Sequence, residues 1–192
     1  MEAFINTAAV VGLGEMGDKT QVLALLLAVR YRRSLPILGG IFLATLLTMG
    51  VTALLGTTIS SLIPAAILRW VLVVLFIGVA AWTLIPEDDD DDDDEEDIPV
   101  KSSTSLVFTT FITFILAELG DKSQIATLIM AATYDSFTSV MAGATLGEMI
   151  AIAPAVVLGK TTAQWIPLRW IRIAAASLFA ALGIWILIFG LE

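Results

Sequence analysis

Glu15-Met16-Gly17-Asp18-Lys19-Thr20-Gln21 returns 103 residues later as Glu118-Leu119-Gly120-Asp121-Lys122-Ser123-Gln124. Each heptad sets two acids and a lysine into an otherwise apolar run. An ionisable side chain at the centre of a membrane helix costs about 2.5 to 3.5 kcal/mol on insertion scales, so six of them carry a gross penalty of roughly 15 to 20 kcal/mol. A burden of that size, repeated at the same place in two copies, points to function rather than to packing.

The repeat extends beyond the heptads. The same offset, without gaps, aligns Gly40 with Gly143, Leu55-Gly56 with Leu158-Gly159, Pro64 with Pro167, Arg69 with Arg172, Phe76 with Phe179 and Trp82 with Trp185. The chain of 192 residues is thus a duplicated unit. Residues 1–86 form the first copy, 104–192 the second, and 87–103 an acidic linker. Hydrophobic residues make up 58% of the chain and mean hydropathy is +0.92, values of a polytopic membrane protein.

Six segments are long enough to cross a hydrocarbon core, near 3–29, 36–59, 65–86, 104–132, 137–159 and 168–190. The N-terminus enters its apolar run almost at once and reads as a retained first helix. The expected fold is an all-α membrane protein, six transmembrane helices in two three-helix repeats. With an odd number of spans per copy, the second repeat is expected to be inverted relative to the first, as in many secondary transporters. Charge tests this plan. Arg30, Arg32, Arg33, Lys101, Lys160, Arg169 and Arg172 fall on one side and only Arg69 on the other, which makes the basic side cytoplasmic and both termini external. Trp70, Trp82, Trp165, Trp170 and Trp185 lie at or near expected helix ends and read as interfacial anchors.

The net charge of -9 comes from one place. Glu87, Asp88, Asp89, Asp90, Asp91, Asp92, Asp93, Asp94, Glu95, Glu96 and Asp97 leave eight acids against ten basic residues elsewhere. Such a run buries no apolar surface and reads as a cytoplasmic spacer. Its field would also attract divalent cations to a cytoplasmic mouth. The chain has no cysteine and no histidine, which excludes disulfides, thiolate or imidazole metal sites and histidine proton shuttling. Any proton carrier must be a carboxylate or a lysine.

On continuous helices, Glu15, Asp18 and Gln21 would share one face with Lys19 on its flank, and Glu118, Asp121 and Gln124 would do the same beside Lys122. If the two heptads meet near the midplane, Glu15, Asp18, Glu118 and Asp121 form a metal site. Thr20, Gln21, Ser123 and Gln124 are further oxygen ligands or proton sites, and Lys19 and Lys122 compensate charge. Oxygen-only coordination suits Ca²⁺, Mn²⁺ and, less comfortably, Mg²⁺. Gly17 and Gly120 would permit close approach of helices or carbonyl ligation, and Gly12 and Gly14 would loosen the first helix. Glu148 is a further ligand or proton acceptor, with Thr45 at its equivalent position and Thr48 nearby. Four crowded acids cannot all stay ionised without a cation, so cation binding would expel protons. The structural alternative is internal i,i+4 ion pairing of Glu15 with Lys19 and of Glu118 with Lys122.

The two heptads, read as E-x-G-D-K-[ST], resemble the signature of the Gdt-type cation/proton antiporters, which include Golgi calcium/manganese transporters and bacterial manganese exporters. The resemblance spans nearly the whole chain. It implies export of Mn²⁺, or of Ca²⁺, in exchange for protons, with the motif acids Glu15, Asp18, Glu118 and Asp121 as ligands. It further implies no cofactor, no nucleic acid, a lipid bilayer as surroundings and a bacterial plasma membrane as location. Two competing readings exist. A cationic amino-acid exporter of the lysine-exporter type is similar in size and span number but needs no four acids on two symmetric motifs. An intramembrane aspartyl protease would use Asp121 with Asp135, yet Asp135 falls in a short loop. The chain therefore reads as a transporter and not an enzyme.

Overall fold

Apolar runs interrupted by glycine and capped by acids give helices that start and stop at defined residues. The computed structural model describes residues 1–62, 64–84, 102–158 and 168–189. The acidic run from Glu87, together with Lys101, Lys160 and Trp165, lies outside them.

Eight helices are described: α1 (Glu2–Glu15), α2 (Lys19–Tyr31), α3 (Ser34–Leu62), α4 (Ala65–Thr83), α5 (Ser103–Glu118), α6 (Lys122–Tyr134), α7 (Phe137–Leu158) and α8 (Leu168–Phe189). No strand occurs among the described residues. Two helices, α3 and α7, are long and apolar enough to cross a membrane, and α5 with α6 makes a third if the bent pair counts as one span. α4 and α8 contribute shorter apolar stretches, Ala66–Ala81 and Ala176–Ile188.

The expected spans 3–29 and 104–132 are not single helices. Each breaks at its heptad, and α5 and α6 meet at an angle of 75°. Gly17 and Gly120 adopt φ of +80° and +76°, a conformation open to glycine and strained for other residues. Asp18 and Asp121 then cap α2 and α6 with their side chains. The glycines were expected to admit a neighbouring helix, but a Cβ at Gly120 would meet nothing within 4 Å. They turn the chain. Close approach occurs elsewhere, where a Cβ at Gly40 would sit 2.7 Å from the Val107 carbonyl oxygen on α5 and one at Gly143 would sit 2.5 Å from that of Phe4 on α1.

These contacts belong to a reciprocal pattern in which α1 packs on α7 as α5 packs on α3, and α4 packs on α8. Two buried apolar clusters form. One contains Val10, Val11, Met49, Ala53, Ile129, Met130, Val140 and Ala144. The other contains Ala24, Leu27, Ile37, Ile41, Leu106, Phe114, Ile152 and Val156. Along α1–α2, α3, α5–α6 and α7, the buried acids Glu15, Asp18, Glu118, Asp121 and Glu148 and the hydroxyls of Thr20, Thr45, Thr48 and Ser123 fall in sequence between the two clusters, which makes a polar layer across the middle of the molecule. The outer surface is apolar instead. Leu43, Leu47, Val51 and Leu54 on α3 and Phe108, Ile112 and Leu116 on α5 are exposed at helical spacing, as bilayer contact requires. Trp70 and Trp185 are also exposed, at 61% and 60%.

Four polar contacts tie the helix ends together. Arg33 Nη1 donates to Ser103 Oγ at 3.5 Å and Ser34 Oγ to the Val156 carbonyl at 3.2 Å. Elsewhere Ser60 Oγ donates to Asp135 Oδ1 at 3.2 Å and Asn6 Nδ2 to Tyr134 Oη at 2.6 Å.

Candidate metal centre

α1 ends on Glu15 and α2 begins after Asp18, so two acids three residues apart face each other across a turn rather than along a helix. The predicted fan on one face is therefore not what forms. Asp18 Oδ1 accepts the Lys19 backbone N–H at 2.7 Å, and Gln21 Oε1 reaches back to the Gly17 N–H at 2.9 Å. The second heptad repeats the turn, with Asp121 Oδ2 accepting the Ser123 N–H at 3.3 Å and Gln124 Oε1 accepting that of Gly120 at 3.1 Å. Both glutamine oxygens, expected as ligands, serve the turn instead. Gln21 Nε2 also donates to the Ala151 carbonyl on α7 at 2.9 Å.

Folding brings carboxylate oxygens of Glu15, Asp18 and Asp121 within 4.8 Å of one another, all three buried. That spacing is compatible with one shared ion, since oxygens on a common Ca²⁺ stand no more than twice the metal–oxygen distance of roughly 2.3 to 2.6 Å apart. The site thus draws acids from both heptads. Hydroxyls fix the carboxylates: Thr20 Oγ1 donates to Glu15 Oε2 at 2.7 Å and Ser123 Oγ to Asp121 Oδ2 at 3.0 Å. The first turns of α2 and α6 add the positive ends of two helices, and the last carbonyls of α1 and α5 add negative ones.

Each lysine reaches an acid of the opposite heptad. Lys122 Nζ lies 3.7 Å from Asp18 Oδ2, and Lys19 Nζ lies 4.0 Å from Asp121 Oδ1. The internal i,i+4 pairing assumed a continuous helix, and the turn removes it. The crossed pairs are unequal, since the Lys122 side chain is 9% exposed and that of Lys19 54%.

Glu118 does not join the three acids within 4.8 Å. Its Oε2 accepts from Thr48 Oγ1 on α3 at 2.7 Å. Glu148 Oε1 in turn accepts from Thr45 Oγ1 at 2.7 Å. Thr45 and Glu148 are repeat partners, 103 residues apart, so equivalent positions of the two copies touch directly. The sequence marks both residues without showing that they meet. Asn6 stays apart, bonded to Tyr134.

Comparison with known proteins places this geometry in context. A family model described as divalent cation/proton antiporter GDT1 matches residues 3–91 and 106–192. A protein of Vibrio cholerae described as "Putative manganese exporter" is 43% identical over 186 residues, covering 96% of this chain and 90% of its own length. A GDT1-like protein of Synechocystis is 28% identical over 195 residues, with 93% of each chain covered. GDT1-like protein 5 of Arabidopsis thaliana is 26% identical over 217 residues, covering 96% of this chain and 94% of its own. No solved structure matches.

Proposed function

The chain belongs to the GDT1 family of divalent cation/proton antiporters, and we propose that it exports Mn²⁺ in exchange for protons through a site completed by both heptads. The observation that carries this reading is the convergence of Glu15, Asp18 and Asp121, from turns 103 residues apart, on one ion-sized space. The acid set is all oxygen, which suits Mn²⁺ and Ca²⁺ alike. What favours Mn²⁺ is the description of the Vibrio cholerae relative.

In this reading Glu15, Asp18 and Asp121 hold the cation, Thr20 and Ser123 orient them, and Lys122 and Lys19 neutralise Asp18 and Asp121 while no cation is bound. Arrival of a divalent ion releases the ammonium groups from the carboxylates. Because ligating carboxylates must be deprotonated, cations and protons compete for the site. The broken helix pairs place reorientable half-helices at the ion, as in transporters that alternate access around a fixed midplane site.

The six-span plan belongs to the same proposal, with α1–α2 and α5–α6 each acting as one broken span, residues 1–86 and 104–192 as inverted repeats, and 87–103 as a cytoplasmic linker. The helix-end contacts support inversion. The α2–α3 loop meets the start of α5 and the end of α7, while the start of α1 meets the end of α6 and the end of α3 meets the α6–α7 loop. On that tracing α1–α2 and α5–α6 run in opposite directions. The basic loop with Arg30, Arg32 and Arg33 marks the cytoplasmic end of a bacterial plasma membrane protein.

The test is transport by the purified chain in proteoliposomes, with Mn²⁺, Ca²⁺ and lysine gradients and a pH-sensitive dye inside. We expect Mn²⁺ movement coupled to opposite proton movement, weaker coupling with Ca²⁺ and none with lysine. Lysine flux without cation flux would establish the amino-acid exporter in its place.

A further inference from the structure

α2 and α6 are repeat equivalents, yet the fold encloses them unequally. Burial runs along α6 from Lys122 and Ser123 through Ala126 to Ala132, whereas on α2 the buried residues are Thr20, Ala24, Leu27 and Ala28. The lysines that open the two helices follow, with side chains 9% exposed at Lys122 and 54% at Lys19. α3 presses on the C-terminal half of α6, where a Cβ at Gly56 would sit 2.5 Å from the Leu128 carbonyl oxygen and 2.6 Å from Ala131 Cβ. Inverted copies that alternate access exchange such environments, so a helix enclosed in one conformation is exposed in the other.

Lys122, Ala126, Met130 and Tyr134 stand four residues apart and line one face of α6. That line joins the metal centre to the end of the helix, since Lys122 Nζ lies 3.7 Å from Asp18 Oδ2 and Tyr134 Oη accepts from Asn6 Nδ2 at 2.6 Å. α1 supplies the opposite wall. Asn6 and Val10 share a face of it, and Val10, Ala126 and Met130 belong to one buried cluster against which Tyr134 packs. Met130 is unbranched and swings aside readily, so the bond beyond it is what holds the line shut. The equivalent line on α2 is Lys19, Leu23, Leu27 and Tyr31, and it ends differently. Thr109 stands where the other copy has Asn6, and the Arg30 guanidinium carbon lies 5.4 Å from the centroid of the Tyr31 ring. The amide that bonds Tyr134 thus has no amide counterpart at the α2 end.

We propose that the cation's path on the α6 side of the metal centre runs along this line between α1 and α6, and that the Asn6–Tyr134 hydrogen bond is its gate, closed in this conformation. Opening parts the two side chains, lets Met130 swing aside and joins Lys122 to the surface. Asn6 and Tyr134 are gating residues and take no part in holding the ion at Glu15, Asp18 and Asp121. In the proposed topology the gate faces outward and is the last barrier to export. A bond that merely fastens two helices would instead stay made throughout the cycle.

The proposal rests on the transporter reading, and the absence of cysteine from the chain lets engineered thiols separate the two. Asn6→Cys and Tyr134→Cys, combined and bridged by a short bis-methanethiosulfonate, should lower Mn²⁺ flux in proteoliposomes at least about tenfold, with recovery on reduction and Mn²⁺ binding within about threefold of wild type. Met130→Cys reports the gate without a bridge. A membrane-impermeant maleimide added outside should label it at least about fivefold faster once Tyr134→Phe removes the hydroxyl. Full flux or lost Mn²⁺ binding in the bridged chain, or labelling that Tyr134→Phe leaves unchanged, would overturn the gate. Faster labelling in a chain that moves no cation would retain the gate and refute the transporter reading instead.

Discussion

The two heptads differ at only two of seven positions, Met16 against Leu119 and Thr20 against Ser123, yet they do different things in the folded chain. The turns themselves match, with a left-handed glycine, an aspartate cap and a glutamine reaching back to the glycine. The acids before them part company. Glu15 faces Asp18 and Asp121, whereas Glu118 turns to Thr48 on α3. What separates them lies outside the motifs, in Thr45 and Glu148, repeat partners where only one copy carries an acid. A duplicated sequence thus supplies equivalent acids, and their partners in the fold differ.

The largest expected effect is at the first glutamates of the two motifs. Glu15→Gln should weaken Mn²⁺ binding at least about a hundredfold, as loss of a buried ligand does, and Glu118→Gln by less than about tenfold. Calorimetric titration checks this, and equal losses would restore Glu118 to the metal site. Next come the lysines. Lys122→Met removes the buried partner of Asp18 and should cost about 2 kcal/mol of stability, while Lys19→Met, at a half-exposed ammonium, should cost under about 1 kcal/mol. Thermal unfolding in detergent with and without Mn²⁺ should show the deficit of Lys122→Met shrinking when the cation takes over the charge. A deficit unchanged by Mn²⁺ would separate Lys122 from the site.

Gly120→Ala should lower stability by about 1 to 2 kcal/mol through backbone strain alone, since the space around it is open. Gly17→Ala, in the equivalent turn, should match it, and a large difference would break the equivalence of the turns. The smallest effect belongs to the glutamines. Gln124→Ala loses a cap worth about 0.5 kcal/mol, while Gln21→Ala also loses its bond to the Ala151 carbonyl and should cost about 1 kcal/mol.

Much of this molecule is legible in its sequence. The repeat and the polar heptads follow from letters and spacing, and so do the helical runs of α3 and α7. The break between α1 and α2 was also written there, as glycine, then aspartate, then glutamine three residues on, which is a helix-start signature. Treating Glu15 to Gln21 as one helix hid it, because the apolar run continues on both sides. The same assumption led to pairing of Lys19 with Glu15, when the turn sends Lys19 toward Asp121 in the other copy. Contacts between copies are three-dimensional facts, and no spacing rule yields the bond between Thr45 and Glu148. Their common offset was the available signal, since repeat partners meet only where the two copies adjoin.

The central claim is that one cation is held by acids of both turns at once. It is tested most directly by Mn²⁺-driven proton flux in proteoliposomes containing wild type, Asp18→Asn or Asp121→Asn. Each single change should reduce flux below about one per cent of wild type, because removing either acid breaks the same shared site. Full coupled flux in either variant would show that the two turns do not share an ion.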